Sequence, residues 1–414
     1  MIFHSIFSQK PYKERKRLHQ YRKSFLFALA LLLLGLLMET VSRGKGIRLP
    51  EIPLNIYAGF LFIFLLFFVH LFYQQHPFIK WLSGVPTAIS SISLFALLVL
   101  LLGFIPQEDN QNNWLSFIGL NHIKTSWPFL LSHLYILFSL GLVILRRLNR
   151  LTVRNIGFFL NHAGLWIVVL AGGLGSSDLS RLQIELYEGN SFTHFAHDQS
   201  NLYRLPFSLK LTDFVLEEYP PRIAFADART FHFLSDKNRT FIHAEPGIQF
   251  SFKDFVVQVD TVFMQALPGK GRMIAVTSKE GVPACHIKVF RSAAIVAQGW
   301  IACGSRSMHS AVLPLNDELM VVLLDPEPRK YQSSLKIATE HDTISAVLEV
   351  NKPIKIKGWQ LYQMGYNQTE GKNSQLSIIE AVNDPWLPIV YTGIFMLLAG
   401  AVYLFWLGRW KKNK

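Results

Sequence analysis

The chain contains six long runs of apolar residues, which dominate its hydrophobic pattern. They are Phe25–Met38, Leu54–Tyr73, Ala88–Ile105, Phe129–Leu145, Ile156–Leu174 and Pro388–Leu407. A helix needs about 20 mainly apolar residues to cross the hydrocarbon core of a bilayer, and all but the first run are long enough when tilt is allowed for. The first run needs flanking residues to span. The pattern predicts a polytopic α-helical membrane protein with about six transmembrane helices.

Between the fifth and sixth runs, short stretches alternate apolar with polar residues. Examples are Arg181–Tyr187, Ser208–Phe214, Gln249–Val259, Leu319–Leu324 and Gly358–Tyr362. Alternation with a period of two, bounded by Pro, Gly, Asn and Asp, is typical of β-strands. No long amphipathic helix competes with this pattern. We therefore predict a large antiparallel β domain, interpreted as a sandwich, with a transmembrane helix at each end.

The positions of Lys and Arg predict the orientation of the helices, because cytoplasmic segments of membrane proteins are enriched in both residues. Three segments are basic, with Lys10, Lys13, Arg15, Lys16, Arg17, Arg22 and Lys23 in the first, Arg146, Arg147, Arg150 and Arg154 in the second, and Arg409, Lys411, Lys412 and Lys414 in the third. With six spans, all three segments fall on one side. We predict an inner-membrane protein with both termini cytoplasmic and an extracytoplasmic β domain. The loop with Arg43, Lys45 and Arg48 departs from the rule.

The composition and the spacing of the cysteines argue against several classes of function. The net charge is +13, but no basic face with interleaved aromatic residues stands out, so nucleic-acid binding is not predicted. The cysteines, Cys285 and Cys303, form no Cys-x-x-Cys motif, which excludes a thioredoxin-like centre and a zinc ribbon. Because no nucleophile, acid/base pair or thiol relay is evident, we do not predict an enzyme.

A set of short motifs carries a resemblance to a known family. The motifs are Gly103-Phe104-Ile105-Pro106-Gln107, Ser126-Trp127-Pro128-Phe129, Asn161-His162-Ala163-Gly164-Leu165, Gly172-Gly173-Leu174-Gly175, Leu205-Pro206-Phe207-Ser208-Leu209, Asp213-Phe214, Tyr219-Pro220, Val350-Asn351-Lys352-Pro353, Gly358-Trp359-Gln360-Leu361-Tyr362-Gln363 and Asp384-Pro385. In this order, from about Pro86 to the C-terminus, they resemble the ResB family, also called CcsB, of cytochrome c biogenesis proteins. The chain lacks the Trp-rich motif of the partner protein CcsA, so it does not resemble the fused form.

The apolar runs and the resemblance together divide the chain into five parts. These are a basic cytoplasmic N-terminus (1–24), two N-terminal helices beyond the family core (25–85), three core helices (86–175), the β-rich domain (176–385), and the last helix with its basic tail (386–414).

The same resemblance implies a function. ResB-type and CcsA-type proteins together export haem across the membrane, hold it reduced and join it to apocytochrome c outside. The chain is therefore expected to be a subunit of a membrane haem-delivery and cytochrome c maturation system. The expected cofactor is a haem b shared with a CcsA-type partner, with one axial ligand from His162, which occupies the family's histidine position. The alternative is a non-haem membrane scaffold for the assembly of a respiratory complex.

Three histidines, His70, His133 and His162, lie within the apolar runs. An ionisable residue inside a span is a functional candidate by default, and the alternative is a neutral imidazole hydrogen-bonded to a neighbouring helix. We favour that alternative for His133 and His70. At a rise of about 1.5 Å per residue, His133 lies too far from His162 to share one iron. His70 lies nearer that level, so it is the expected second ligand if this chain alone holds the haem.

The remaining candidates are weak. Cys285 and Cys303 are compatible with a disulfide in an oxidising compartment, with a free pair, or with burial as small apolar side chains. His194 and His197 have the spacing of one helical turn, but the surrounding pattern is not helical. We predict no metal other than haem iron.

Overall fold

The structure is a computed structural model that describes residues 3–107, 114–148, 152–198, 201–234, 241–278, 280–305 and 308–412. Arg150 and Lys414, which contribute to the predicted topology, lie outside these residues. Internal contacts divide the chain into two compact units. A helical unit contains the chain up to Ser180 and from Asn383 onward, and a β unit contains Arg181–Val382.

The described residues of the helical unit form eight α-helices. They are α1 (Phe3–Val41), α2 (Leu54–Tyr73), α3 (Pro77–Leu82), α4 (Val85–Phe104), α5 (Trp114–Phe117), α6 (Trp127–Leu148), α7 (Ile156–Leu174) and α8 (Leu387–Lys412). All except α3 and α5 contain a segment long and apolar enough to cross a membrane, and six such segments are found among the described residues. The first extends over Leu18–Val41, so the short first run obtains its flanking residues from both sides. The predicted membrane architecture is confirmed.

Helix α6 is the central helix of this unit, and it packs against α1, α2, α4 and α7. In its most apolar window, 56% of the residues are buried, against 11–28% in the other five spans. Large side chains elsewhere are exposed, such as Phe60 at 68% and Phe64 at 66% on α2. In a chain with this many apolar spans, such an exposed face is suited to lipid contact.

Helices α7 and α8 pack closely along glycine residues. A Cβ built on Gly164 would lie 2.7 Å from the carbonyl oxygen of Gly393, and one built on Gly400 would lie 2.8 Å from the nitrogen of Asn161. Small residues allow transmembrane helices to approach backbone to backbone, where van der Waals packing holds them together. The α7–α8 pair is therefore a close-packed hairpin interrupted in sequence by the β unit.

The β unit contains eighteen strands among its described residues. They are β1 (Ser180–Tyr187), β2 (Thr193–Asp198), β3 (Asn201–Glu218), β4 (Arg222–Asp227), β5 (Phe233–Leu234), β6 (Phe241–His243), β7 (Gln249–Phe252), β8 (Phe255–Pro268), β9 (Met273–Ala275), β10 (Val282–Arg291), β11 (Ala294–Ala302), β12 (Leu313–Pro314), β13 (Leu319–Leu324), β14 (Pro328–Ala338), β15 (Thr343–Glu349), β16 (Ile354–Ile356), β17 (Trp359–Tyr366) and β18 (Leu376–Asn383).

These strands form three sheets. One has eight strands in the order β15-β14-β3-β2-β1-β18-β17-β16, one has β11-β10-β8-β7 with β9 on β8, and one has β12-β13-β4-β5 with β6 on β4. The strand pairs whose register is defined among the described residues are antiparallel, as predicted. The stretch Gln249–Val259 is not one strand, because the chain turns back at Lys253, where φ is +51°, and Phe252 pairs with Phe255. Alternation alone could not distinguish a strand from a tight hairpin.

Two large hydrophobic cores organise the β unit, beside a small cluster on the other face of β4 and β13. In the first, residues of the two five-stranded sheets pack together, including Phe225 and Val321 from one sheet and Val257 and Ile287 from the other. This part is a sandwich, as expected. In the second, the eight-stranded sheet folds over itself, so that Leu335 of β14 shares a core with Leu361 of β17. The predicted single sandwich therefore describes only part of the domain.

Candidate functional site

The imidazole of His162 is held in a fixed orientation by its own helix. Its Nδ1 atom lies 2.8 Å from the carbonyl oxygen of Phe158, one turn earlier in α7. A carbonyl oxygen only accepts, so Nδ1 carries the proton and donates this bond. In the neutral ring, Nε2 then keeps its lone pair. This is the arrangement in which a histidine serves as a metal ligand, with the second nitrogen bonded to a carbonyl group.

Phe158 also supports the His162 ring from one side. The two rings are stacked with centroids 3.8 Å apart, and the guanidinium of Arg147 lies 4.1 Å from the centroid of the Phe158 ring. A cation over an aromatic face is attracted by the ring quadrupole. Arg147 belongs to the last turn of α6, so His162 lies near the basic end of the helical unit.

His70 lies toward the same end of the unit but in a different helix. The ring centroids of Phe62 on α2 and Trp166 on α7 are 6.5 Å apart, which aligns these two residues in depth. His70 follows Phe62 by eight residues in α2, which is about 12 Å toward the basic end at about 1.5 Å per residue. His162 precedes Trp166 by four residues in α7, which is about 6 Å in the same direction. The described contacts do not join the two imidazoles, and His70 has no hydrogen bond to a described residue.

His133 lies near the other end of the unit, where α7 ends and α8 begins, which we call the exit end. A Cβ built on Gly173 of α7 would contact Nε2 of the His133 ring, so the imidazole lies against the last turns of α7. Gly173 and His162 are about 16 Å apart along the helix axis. His133 and His162 are therefore separated in depth, as the sequence predicts.

His133 also lines a cavity in the helical unit. The cavity has a volume of about 630 Å³, and its lining includes Phe62, Phe95, Phe129, Gly172 and Trp386. His133 is 9% exposed, and its Nδ1 atom is a buried polar atom without a hydrogen-bond partner among the described residues. A buried polar atom without a partner is costly, so this nitrogen lowers the stability of the packing around His133.

A buried carboxylate fixes the start of α6 above this cavity. Glu39 is fully buried, and its Oε1 accepts from Gly46 N at 3.0 Å and lies 3.1 Å from His122 Nε2. Its Oε2 accepts from Trp127 N at 2.9 Å. Buried charges require such compensation by donors. Glu39 therefore ties the end of α1 to the loop that follows it and to the first residue of α6.

Asp178 joins the other elements at the exit end. Its Oδ1 accepts from Ile52 N at 2.9 Å, and its Oδ2 accepts from the amide of Asn55 on α2 and from Trp386 Nε1 at 2.6 Å. Trp386 immediately precedes α8. This single carboxylate links the ends of α2, α7 and α8.

The cysteines are free and buried in the β unit. Burial raises the pKa of the Cys285 thiol to about 12. Burial also raises the pKa of Cys303, and the nearby Asp325 carboxylate adds to that effect. Of the alternatives left open by the sequence, the structure agrees with burial as small apolar side chains and not with a disulfide.

A second cavity lies in the β unit. It has a volume of about 420 Å³ and is lined by residues that include Asp213, Glu218, Met264 and Lys372. The Lys372 ammonium donates to the carbonyl oxygen of Gly281 at 3.0 Å. Burial lowers the pKa of Lys372 and raises the pKa of Glu218, and each is partly offset by the charge of the other.

No group of three or more His, Cys, Asp or Glu side chains within the described ranges is arranged to hold a metal ion. His194 and His197 lie in strand β2, where residues three apart point to opposite faces. Their spacing therefore does not form a metal site.

Sequence reasoning missed Glu39, Asp178 and Phe158. An acidic residue at the end of an apolar run is a signal that could have identified Glu39. No pattern in the sequence identifies Asp178 and Phe158. Asp178 binds groups of other elements, and Phe158 lies between His162 and Arg147, so both contacts depend on which helices become neighbours.

The comparisons with known proteins identify one segment of the chain. Residues 316–383 match the model of the ResB-like family, and no curated protein matches the chain.

Two motifs of the resemblance lie inside this segment and form turns. Asn351 has φ +63° between β15 and β16, and Lys357 and Gly358 have φ +45° and +84° between β16 and β17. Two consecutive positive φ values define the type I′ turn of a two-residue hairpin. The motif around His162 lies outside the match. The match supports a role related to cytochrome c biogenesis at the level of the family, and the resemblance to the ResB family is confirmed over residues 316–383.

Proposed function

We propose that this chain is a subunit of a membrane haem-delivery and cytochrome c maturation system, in which His162 provides one axial ligand of a haem b. The observation that supports this most directly is the orientation of the His162 ring. Its Nδ1 proton is engaged by Phe158 at 2.8 Å, which leaves Nε2 as the free nitrogen. A neutral imidazole supplies a lone pair without adding charge in a low-dielectric site.

The second axial ligand comes from a CcsA-type partner. His70 is a weaker candidate, because its ring makes no described contact with His162. The bound haem supplies the iron centre that is passed on to apocytochrome c. Arg147, stacked on Phe158, adds a positive charge near this position, which suits a cofactor with carboxylate groups.

The basic segments support a topology for this function. Arg146 and Arg147 end α6, and together with the basic N-terminal and C-terminal segments they favour cytoplasmic termini. The β unit is then extracytoplasmic, where it takes part in holding apocytochrome c near the haem. In this arrangement, His162 lies in the inner half of the membrane and is reached from the cytoplasmic side.

The test is His162→Ala in the full chain, purified together with its partner. Alanine is a good helix former, so we expect unchanged abundance. Loss of a ligand should lower haem retention by at least about tenfold, since even supporting residues cost 10–100-fold at metal sites. Added imidazole should partly restore haem binding and cytochrome c maturation, because it fills the open coordination position.

The matched control is His133→Ala, which removes another intramembrane imidazole about 16 Å away in depth and should leave haem content unchanged. Full haem content with an unchanged spectrum in His162→Ala would show that His162 is a packing residue. A colourless wild-type complex would favour the alternative function, a scaffold without haem.

A further inference from the structure

We propose that the cavity at the exit end of the helical unit binds an anionic phospholipid, with an acyl chain between the helices and the phosphate held at the rim by Arg48 and Lys124. The proposal is independent of His162 and of haem, because the proposed haem ligand lies near the basic end.

The loop between α1 and α2 carries basic residues that the orientation of the helices does not explain. Arg43, Lys45 and Arg48 lie on the predicted extracytoplasmic side, where Lys and Arg are depleted. A fourth cation, Lys124, precedes α6 at the same end, and all four are exposed. None of them forms an ion pair with a described residue. Neighbouring like charges repel one another, so an anion bound among them would be stabilised.

Two of these cations flank a single backbone hydrogen bond at the rim of the cavity. The nitrogen of Ile47 donates to the carbonyl oxygen of Thr125 at 2.7 Å. Arg48 follows Ile47 and Lys124 precedes Thr125 in the chain, and Ile47, Lys124 and Thr125 all belong to the lining. Arg binds a phosphate through two parallel N–H groups, and Lys binds it as a point charge. The two long side chains can therefore meet one phosphate at this rim.

The charge of the rim favours a headgroup with a net negative charge. Among the described lining residues, the carboxylate is that of Asp384. Its Oδ1 atom accepts from the backbone nitrogens of Trp386 and Leu387, each at 3.1 Å, at the start of α8. The positive end of that helix compensates the carboxylate, whereas the cations have no such partner. A zwitterionic headgroup would leave part of their charge unbalanced.

The walls of the cavity are apolar and accessible to a ligand. Helix α6 contributes Phe129, Leu130, Leu134 and Leu137 to the lining, and the first three are partly exposed. From Phe129 to Leu137 the helix rises about 12 Å, and half of a hydrocarbon core is about 15 Å thick. The cavity therefore extends through most of one lipid leaflet, which suits an acyl chain.

The headgroup must supply the selectivity, because lipid tails find equally apolar surroundings in the bilayer. The experiment therefore compares dioleoyl phosphatidylglycerol with dioleoyl phosphatidylcholine and dioleoyl phosphatidylethanolamine at equal concentrations. The three lipids share their acyl chains and a phosphate, and only the first has a net negative charge. Native mass spectrometry of the full chain in a neutral detergent measures the lipid that is retained.

We expect the wild-type chain to retain at least about fivefold more phosphatidylglycerol than either other lipid, because one Lys or Arg near an anionic lipid contributes about that factor. The double variant Arg48→Gln and Lys124→Gln should abolish this preference. Both residues are exposed, so the fold should tolerate the change. Lys80→Gln is the control, because it removes an exposed cation of α3, near the basic end, and should leave the preference intact.

A second variant tests the place of the acyl chain. A Cβ built on Gly172 has no heavy atom within 4 Å, and Gly172 lines the cavity. Gly172→Leu should therefore be accepted by the fold and weaken retention of phosphatidylglycerol by filling space. Gly103→Leu is its control, because Gly103 has the same open surroundings and is not part of the lining.

The outcomes separate this proposal from the proposed function. His162→Ala should lose haem and keep the wild-type preference for phosphatidylglycerol. Equal retention of the three lipids by the wild-type chain overturns the proposal, as does a preference that survives in the Arg48 and Lys124 double variant. Unchanged retention in Gly172→Leu would mean that the lipid lies outside the cavity, which also overturns it. If the double variant loses haem, these cations hold the cofactor and the lipid assignment is wrong.

Discussion

At the scale of single residues, burial controls the chemistry of the two thiols. Cys285 and Cys303 lie in the core between the two five-stranded sheets. A thiolate is the reactive form of cysteine, and burial disfavours it. Their chemistry in the folded state is therefore that of small apolar groups, whatever the redox state of the compartment.

We predict slow thiol labelling of the native chain. With a pKa of about 12 for Cys285, about one molecule in ten thousand carries the thiolate at pH 8. Below that pKa, each rise of one pH unit increases the thiolate fraction about tenfold. N-ethylmaleimide at pH 8 should modify the denatured protein at least about a hundredfold faster than the native protein, as measured by mass spectrometry. Rapid native labelling would contradict the buried assignment.

The sequence predicts which residues of the candidate site are candidate ligands, but it does not predict which groups contact them. His162 and His133 are conspicuous because an imidazole inside an apolar run is unusual. Which nitrogen of His162 carries the proton depends on the carbonyl group of Phe158, and the position of His133 beside Gly173 depends on how α6 packs against α7. The cavity beside His133 depends on the packing of several helices, so no local pattern reports it.

At the scale of elements, the α7–α8 hairpin shows how small residues determine helix pairing. A Cβ on Gly164 would lie 2.7 Å from a backbone oxygen of α8, and backbone atoms cannot move aside as a flexible side chain does. The apolar runs predict that α7 and α8 exist. They do not predict that these two helices pair, because the segments are separated by the whole β unit.

We predict that Gly164→Leu separates this pair. The added side chain has no room against Gly393, and overpacking of this kind costs about 1–3 kcal/mol. The purified variant in detergent should unfold at a lower temperature than the wild type. Gly103→Leu, where a Cβ has nothing within 4 Å, should leave the transition unchanged. Equal unfolding temperatures for Gly164→Leu and the wild type would mean that the close packing is not needed.

The pattern of apolar and polar residues in the β unit likewise predicts strands but not the turns and contacts between them. The alternating stretch Arg181–Tyr187 lies in strand β1, and the continuous apolar stretch Leu319–Leu324 forms strand β13. The pattern misses the turn at Lys253, because alternation continues through a tight hairpin. It also cannot show that the eight-stranded sheet folds over itself, since that depends on contacts between β14 and β17.

At the scale of the whole molecule, we predict that the six candidate spans put Arg147 and Lys412 on the same side of the membrane and Asn316 on the other. The positive-inside rule predicts which side is cytoplasmic. Reporter fusions should therefore read cytoplasmic at Arg147 and Lys412 and extracytoplasmic at Asn316. A fusion at Arg147 that reads extracytoplasmic would reverse the topology and remove access to His162 from the cytoplasm.

The interrupted α7–α8 hairpin has a consequence for the synthesis of the protein. A ribosome adds about 5–20 residues per second, so roughly 10–40 seconds separate the emergence of α7 from that of α8. During this interval, the glycine-lined face of α7 has no partner from its own chain. The helical unit can complete its packing only after the last span is inserted. We therefore expect nascent chains that stop before Leu387 to be targets for membrane quality control, even when the β unit has already folded.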